Sequence, residues 1–217
     1  MPFPIEEWYY EVPVITRTYV TAVVLTTLAC QLDLVSPFHL YFNWTLIWRS
    51  RQWWRLITSF LYFGNFSLDF LFHMFFLVRY SRMLEEGSFR GRTADFLWFL
   101  LFGMLATIGM SPLLPARTSI PFLSSPLTFM LVYVWSRRNA FIRMNFLGIF
   151  TFTAPYLPWV LLGFTILLNN QWPAGDLMGL AVGHVYYFLD DVYPRMEISE
   201  GRRLLRAPEF LKRMIEI

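Results

Sequence analysis

Long, mostly apolar runs alternate with short charged stretches along this chain. The first run extends from about Thr16 to Gln31 and is broken by Val35-Ser36-Pro37. Others follow at about Leu56–Tyr80, Thr93–Gly109, Leu123–Ser136 and Pro155–Leu168. The last, within Trp172–Pro194, holds Gly175, Gly179 and Gly183 at four-residue spacing, so on a helix they form one smooth stripe. Each would weaken a helix in water by about 1 kcal/mol relative to Ala. In lipid, the same residues let a neighbouring backbone come close. Asp176 stands beside the stripe, the uncharged run Leu177–Leu189 follows, and Asp190-Asp191 closes it. The pattern predicts an all-α integral membrane protein, a bundle of six transmembrane helices over 1–194 with a short amphipathic tail at 195–217.

The connecting stretches have their own character. Residues 1–15 are polar and aromatic, with Trp8, Tyr9 and Tyr10 suited to a membrane surface. Residues 36–55 are too charged to span. They interleave Trp44, Trp48, Trp53 and Trp54 with Arg49, Arg51 and Arg55, which fits either a segment half-sunk at the interface or an ordinary interfacial loop. Residues 81–92 form a charged loop, Pro112 to Pro126 is proline-rich, and Arg137, Arg138 and Arg143 mark the next loop. Phe146–Thr153 reads as an interfacial lead-in to the fifth span. The tail helix is expected after Ala207-Pro208.

Composition agrees. The 217 residues are 56% hydrophobic and 15% charged, against about 25% charged in a soluble domain. The net charge of +3 is scattered between apolar runs rather than gathered in a patch, which excludes a nucleic-acid role. Cys30 is the single cysteine, so no intrachain disulfide, zinc cage or iron–sulfur site can be built from it, and no cofactor or metal is expected. The first fifteen residues carry three glutamates and no Lys or Arg, unlike a cleavable signal peptide.

Six spans place both termini on one side. Fourteen of the 18 Lys and Arg fall on that side, and Arg49, Arg51, Arg55 and Arg117 fall opposite, so the termini are expected in the cytosol. Thirteen residues lie between Asp176 and Asp190, about 20 Å of helix. A hydrocarbon core is about 30 Å thick. The mismatch predicts local thinning of the bilayer.

Candidate chemistry is sparse. Asp69 and His73 share one face of the second run, where a structural hydrogen bond competes with a catalytic reading. There is no GxSG turn, no HExxH, and no YD/GxGD aspartyl pair. His39, His73 and His184 are isolated in sequence.

These residues carry a family resemblance. Gln52-Trp53-Trp54-Arg55, Tyr80-Ser81 with Leu84-Glu85 and Gly87, Gly91-Arg92, Tyr133-Val134-Trp135, Tyr156-Leu157-Pro158-Trp159 and Gly179 through Pro194 resemble, in order and spacing, the derlins, the inactive branch of the rhomboid superfamily. On the rhomboid pattern, Trp54-Arg55 matches the Trp-Arg motif of the first loop, which Trp44, Trp48 and Trp53 would help to anchor. Glu85 matches a loop-supporting glutamate, and Gly179 with Gly183 the glycine pair of the sixth helix. The protease histidine would fall at Asp176 and its nucleophile at Ser124, flanked by Leu123 and Ser125 instead of glycines. The oxyanion-site pair is replaced by Asp69 and His73. An aspartate is a poor substitute for imidazole as a general base at neutral pH. The resemblance therefore implies a polar cavity of Asp69, His73, Ser124 and Asp176 without catalysis.

The same resemblance implies a role in retrotranslocating misfolded proteins from the endoplasmic reticulum. The partners it implies are misfolded clients, a membrane ubiquitin ligase complex, a cytosolic AAA unfoldase and the lipid bilayer, and a homo- or hetero-oligomer is compatible with them. Some derlins recruit the unfoldase through an SHP box. None is seen up to Ile217, so recruitment is expected to be indirect or to rest on a tail beyond it. The alternatives are an intramembrane serine protease using Ser124, a transporter, or a structural adaptor.

Overall fold

In the computed structural model, residues 4–114, 120–146, 148, 150–169, 172–197, 201 and 203–215 are described. They form helices α1 (Pro4–Glu11), α2 (Val14–Gln31), α3 (Trp44–Arg49), α4 (Arg55–Thr58), α5 (Leu68–Met83), α6 (Thr93–Met110) and α7 (Ser124–Arg138). Strands β1 (Arg143–Phe146) and β2 (Phe150–Thr153) follow, then α8 (Leu157–Asn169), α9 (Ala174–Tyr187) and α10 (Glu209–Ile215). Arg117 and the side chain of Trp8 lie outside the described residues.

The six apolar runs give the helices α2, α5, α6, α7, α8 and α9, the second run holding the short α4 as well. Two helical segments, Val14–Gln31 and Thr93–Leu113, are long and apolar enough to cross a bilayer, and Ala154–Leu167 is a shorter apolar helix.

The all-α expectation needs one correction. Arg143–Phe146 pairs antiparallel with Phe150–Thr153, Arg143 opposite Thr153 and Phe146 opposite Phe150. The supposed lead-in is thus half of a hairpin. Only three residues separate the strands, and Gly148 takes a φ of +76°, the left-handed conformation that a tight hairpin needs. The second helix also starts later than Leu56. The chain turns after α4 through Gly64, at φ +100°. The Ser67 side chain then accepts from the Phe70 amide at 3.2 Å and caps α5.

The centre of the molecule is α7, not the glycine-striped helix. Every residue from Pro126 to Ser136 is buried. Leu127, Met130 and Trp135 meet Leu77 and Tyr80 of α5, Phe99 and Leu100 of α6, and Met178, Val182 and Tyr186 of α9 in one apolar core. Aromatic rings tie the helices pairwise, Tyr80 to Trp135 at 4.8 Å and Phe99 to Tyr186 at 4.5 Å. Such pairs add about 0.5–1.5 kcal/mol each beyond burial. The tail helix α10 lays Leu211 against Ala94 of α6, with Leu97 and Trp98 packed alongside.

Candidate functional site

The first turns of α7 and α9 and the first two turns of α5 converge on one polar cluster. Ser125 Oγ lies against Asp176 Oδ1 at one hydrogen bond and 3.3 Å from His73 Nε2. His73 Nδ1 lies 2.9 Å from the Asp69 carbonyl oxygen and 3.5 Å from Asp69 Oδ2. Asp176 is only 4% exposed, and its Oδ2 has no hydrogen-bond partner among the described residues.

Counting hydrogens constrains this cluster. Nδ1 faces only acceptors, so it carries a hydrogen. Ser125 has a single hydroxyl hydrogen for two neighbours, Asp176 and His73. Both contacts become hydrogen bonds only if one further proton is present. It sits on His73, with Asp176 ionised and accepting from Ser125. Or it sits on Asp176, which then donates to Ser125 while Ser125 donates to neutral His73. In both states the His73–Asp176 pair is net neutral, as an apolar bundle requires of buried titratable groups.

The structure brings Asp69, His73 and Asp176 together, but not Ser124. The Ser124 hydroxyl is buried and donates to the Tyr62 carbonyl at 2.7 Å. Its neighbour Ser125 takes the place expected of it. Adjacent helical residues point about 100° apart, so an assignment displaced by one residue faces another wall. The spacing Ser125–Asp176 across α7 and α9 was not readable without knowing which helices touch.

A cleft of about 40 Å³ opens beside the cluster between α5, α7 and α8. Its walls are mostly apolar, with Phe72, Phe76, Phe129 and Phe164 around the few polar groups of Asp69, His73, Thr128 and Thr165. That volume holds one or two waters. Among the described residues, no three His, Cys, Asp or Glu side chains are grouped so as to hold a metal ion.

The glycine stripe sets the α7–α9 distance. A Cβ at Gly179 would stand 2.8 Å from the Pro126 carbonyl carbon and collide with its oxygen. At Gly183 it would stand 3.1 Å from Tyr133, and at Gly175 3.5 Å from Ile120 and Pro126. Close approach at Gly179 is what lets Asp176, one turn earlier, reach Ser125. Gly103 of α6 serves the same end and was not singled out in sequence, since a Cβ there would lie 2.9 Å from Leu127 and overlap Met130.

The tryptophan–arginine loop lies at the end where α7 begins, the Phe42 amide donating to the Pro121 carbonyl at 2.7 Å and the Leu123 amide to that of Ser59 at 2.9 Å. Arg55 is buried, and its Nη1 donates to the Phe38 and Tyr41 carbonyls at 2.9 and 2.8 Å. Its Nε donates to Gln52 at 2.6 Å. Trp44 stacks on Trp48, Trp48 meets Trp53 edge-on at 5.2 Å, and the Trp44 indole donates to Ser111. Trp48, Trp53 and Trp54 remain exposed. Glu85 works elsewhere. Buried in the π-helical turn after α5, it accepts from the Ile15 and Thr16 amides at 3.1 and 2.9 Å and from the Thr16 hydroxyl at 2.6 Å. It thereby caps α2, whose own N-cap, Pro13, has no side-chain acceptor.

Comparison with known proteins matches the profile of the Der1-like family to residues 12–209. Derlin-2.2 of Arabidopsis thaliana is 57% identical over 216 residues, covering 96% of this chain and 86% of that protein. Derlin-2 of Oryza sativa subsp. japonica is 57% identical over 218 residues, covering 96% and 85%. A protein named probable derlin-2 homolog, from Dictyostelium discoideum, is 44% identical over 219 residues, covering 100% and 85%.

Proposed function

Because this chain belongs to the Der1-like family, we propose that it is a non-catalytic component of endoplasmic-reticulum-associated degradation, helping misfolded proteins leave across a locally thinned membrane. On this reading it is a six-span protein of the endoplasmic reticulum membrane with both termini in the cytosol. Its partners are misfolded clients, a membrane ubiquitin ligase complex and a cytosolic AAA unfoldase, reached directly or through another subunit.

The observation that carries this reading is the polar cluster itself. Asp69, His73, Ser125 and Asp176 sit in an otherwise apolar bundle, beside a cleft between α5 and α8. Polar groups at membrane depth are costly and mark pathways. A client segment passing between α5 and α8 would meet aromatic rings and the Thr128 and Thr165 hydroxyls, which donate within their own helices but keep acceptor lone pairs, in place of bare lipid. The test is photo-crosslinking of a misfolded luminal client in microsomes, with the probe at Phe72 or Thr165, and at the exposed Leu105 of α6 as control. Client adducts are expected at the first two positions and not at Leu105. Equal labelling at all three would remove the cleft from the path.

A second reading is hydrolysis at Ser125, favoured by the Ser125–His73–Asp69 order of contacts. A base in reach of the hydroxyl is the first requirement of a serine nucleophile. Here Asp176 competes for the same hydroxyl. A fluorophosphonate probe is expected to leave Ser125 unlabelled. Labelling that disappears in Ser125→Ala would establish the enzyme instead.

A further inference from the structure

A second, larger concavity lies at the far ends of α7 and α9, remote from the polar cluster. It measures about 490 Å³ and is walled by Arg92, Arg137, Arg138, Arg195 and Arg203 around Asp190 and Asp191. A smaller space of about 140 Å³ continues from it, sharing Arg92, Asp190 and Arg203 and adding Asp95 and Arg206. Six arginines thus face three aspartates.

The aspartates are already engaged. Arg138 donates to Asp190 at 2.6 Å and to Asp191 at 2.9 Å, with its guanidinium 4.8 Å from the Phe89 ring centre. Arg92 gives one nitrogen to the Ser88 carbonyl at 2.7 Å and lies 3.8 Å from Asp95. Arg137 rests over the Tyr187 ring at 5.3 Å. Arg137, Arg195 and Arg203 have no ion pair among the described residues, and all three are exposed. Three guanidiniums with spare donors therefore surround one basin that Arg138 holds rigid.

We propose that this basin binds the phosphoryl headgroup of an anionic membrane phospholipid. A guanidinium presents paired N–H donors that match phosphate oxygens. Basic pockets at helix ends facing the cytoplasmic leaflet are suited to such headgroups. The apolar side of the ligand is provided for as well. Phe141 lines the basin and is 97% exposed, with Ile142 next to it 43% exposed. An acidic peptide has no use for that ring, whereas the acyl end of a lipid does.

The test uses the full chain in detergent micelles, titrated with dioctanoyl phosphatidylinositol monophosphate, and with dioctanoyl phosphatidylcholine and inorganic phosphate as comparisons. Saturable binding of the anionic lipid is expected, at least about tenfold weaker in the double variant Arg195→Gln/Arg203→Gln. Arg195→Lys/Arg203→Lys should keep only part of it, since lysine retains the charge without the paired donors, and Arg49→Gln/Arg51→Gln at the other end all of it. Thermal unfolding should be unchanged in each, since none of these side chains is buried. Binding that survives the glutamine pair overturns the site. Inorganic phosphate binding as tightly as the lipid overturns the lipid as its source. Displacement by poly-glutamate at lower concentration than by lipid overturns it in favour of a protein partner.

Discussion

A methyl group added at Gly179 has nowhere to go, because its neighbour is the backbone of Pro126, 2.8–2.9 Å away, and not a side chain that can rotate. Gly179→Ala is expected to destabilise the protein by about 2–3 kcal/mol through overpacking. Gly175→Ala meets ordinary van der Waals contact and should be neutral or gain up to about 1 kcal/mol of helix propensity. Thermal unfolding of the two variants in the same detergent separates them, and equal melting would contradict the packing account. Asp176 calls for the opposite experiment. Its buried Oδ2 has no hydrogen-bond partner among the described residues, so its desolvation is uncompensated there, and the Ser125 hydroxyl that it holds can turn to neutral His73 Nε2 instead. Asp176→Leu should therefore melt at the same temperature or higher, leave Ser125 and His73 bonded to each other, and slow client degradation. A lower melting temperature with normal degradation would make Asp176 structural. Glu85→Ala strands the Ile15 and Thr16 amides, and a loss of about 2–3 kcal/mol is expected in the same assay.

Elements differ in how far their sequences announce them. The apolar runs of α2 and α6 are long enough to be recognised alone. The most enclosed helix is α7, which opens Ser-Ser-Pro and ends Ser-Arg-Arg. Its first two hydroxyls are absorbed by contacts with other elements, Ser124 with Tyr62 and Ser125 with Asp176, and those of Thr128 and Ser136 by carbonyls of α7 itself. Nothing in a linear pattern marks it as the core. The β1–β2 hairpin was hidden for another reason. Its strands do alternate, Arg143-Met144-Asn145-Phe146 and Phe150-Thr151-Phe152-Thr153, on either side of Gly148, but each is only four residues long, and so short a signal is outweighed by the apolar run that follows. The structure makes Gly148 its weak point. Gly148→Val, at a φ of +76°, should cost about 1–2 kcal/mol and loosen the hairpin selectively, as read by amide exchange across residues 143–153. Exchange unchanged there would mean the turn does not depend on that conformation.

At the scale of the whole molecule, helix lengths are unequal. α2 and α6 each have 18 residues, about 27 Å, while α8 has 13, about 20 Å; α9 has 14 but runs on through a π-helical turn, Phe188–Val192. Against a core of about 30 Å, the bilayer should pinch on the α8 side and stay near full thickness on the α6 side. Density for headgroups in a nanodisc should come several ångströms closer together beside α8 than beside α6. Uniform thickness all round would end the thinning proposal. The sequence by itself determined the helical runs, the glycine stripe and the family pattern, because hydrophobic length and residue spacing are properties of a line. It did not determine that α7 lies at the centre, that Ser125 rather than Ser124 meets Asp176, that Glu85 caps α2, or that arginines from four separate segments wall one basin. Those depend on which helix faces touch and at what rotation, and a rotation of about 100° per residue is decided only when the faces pack.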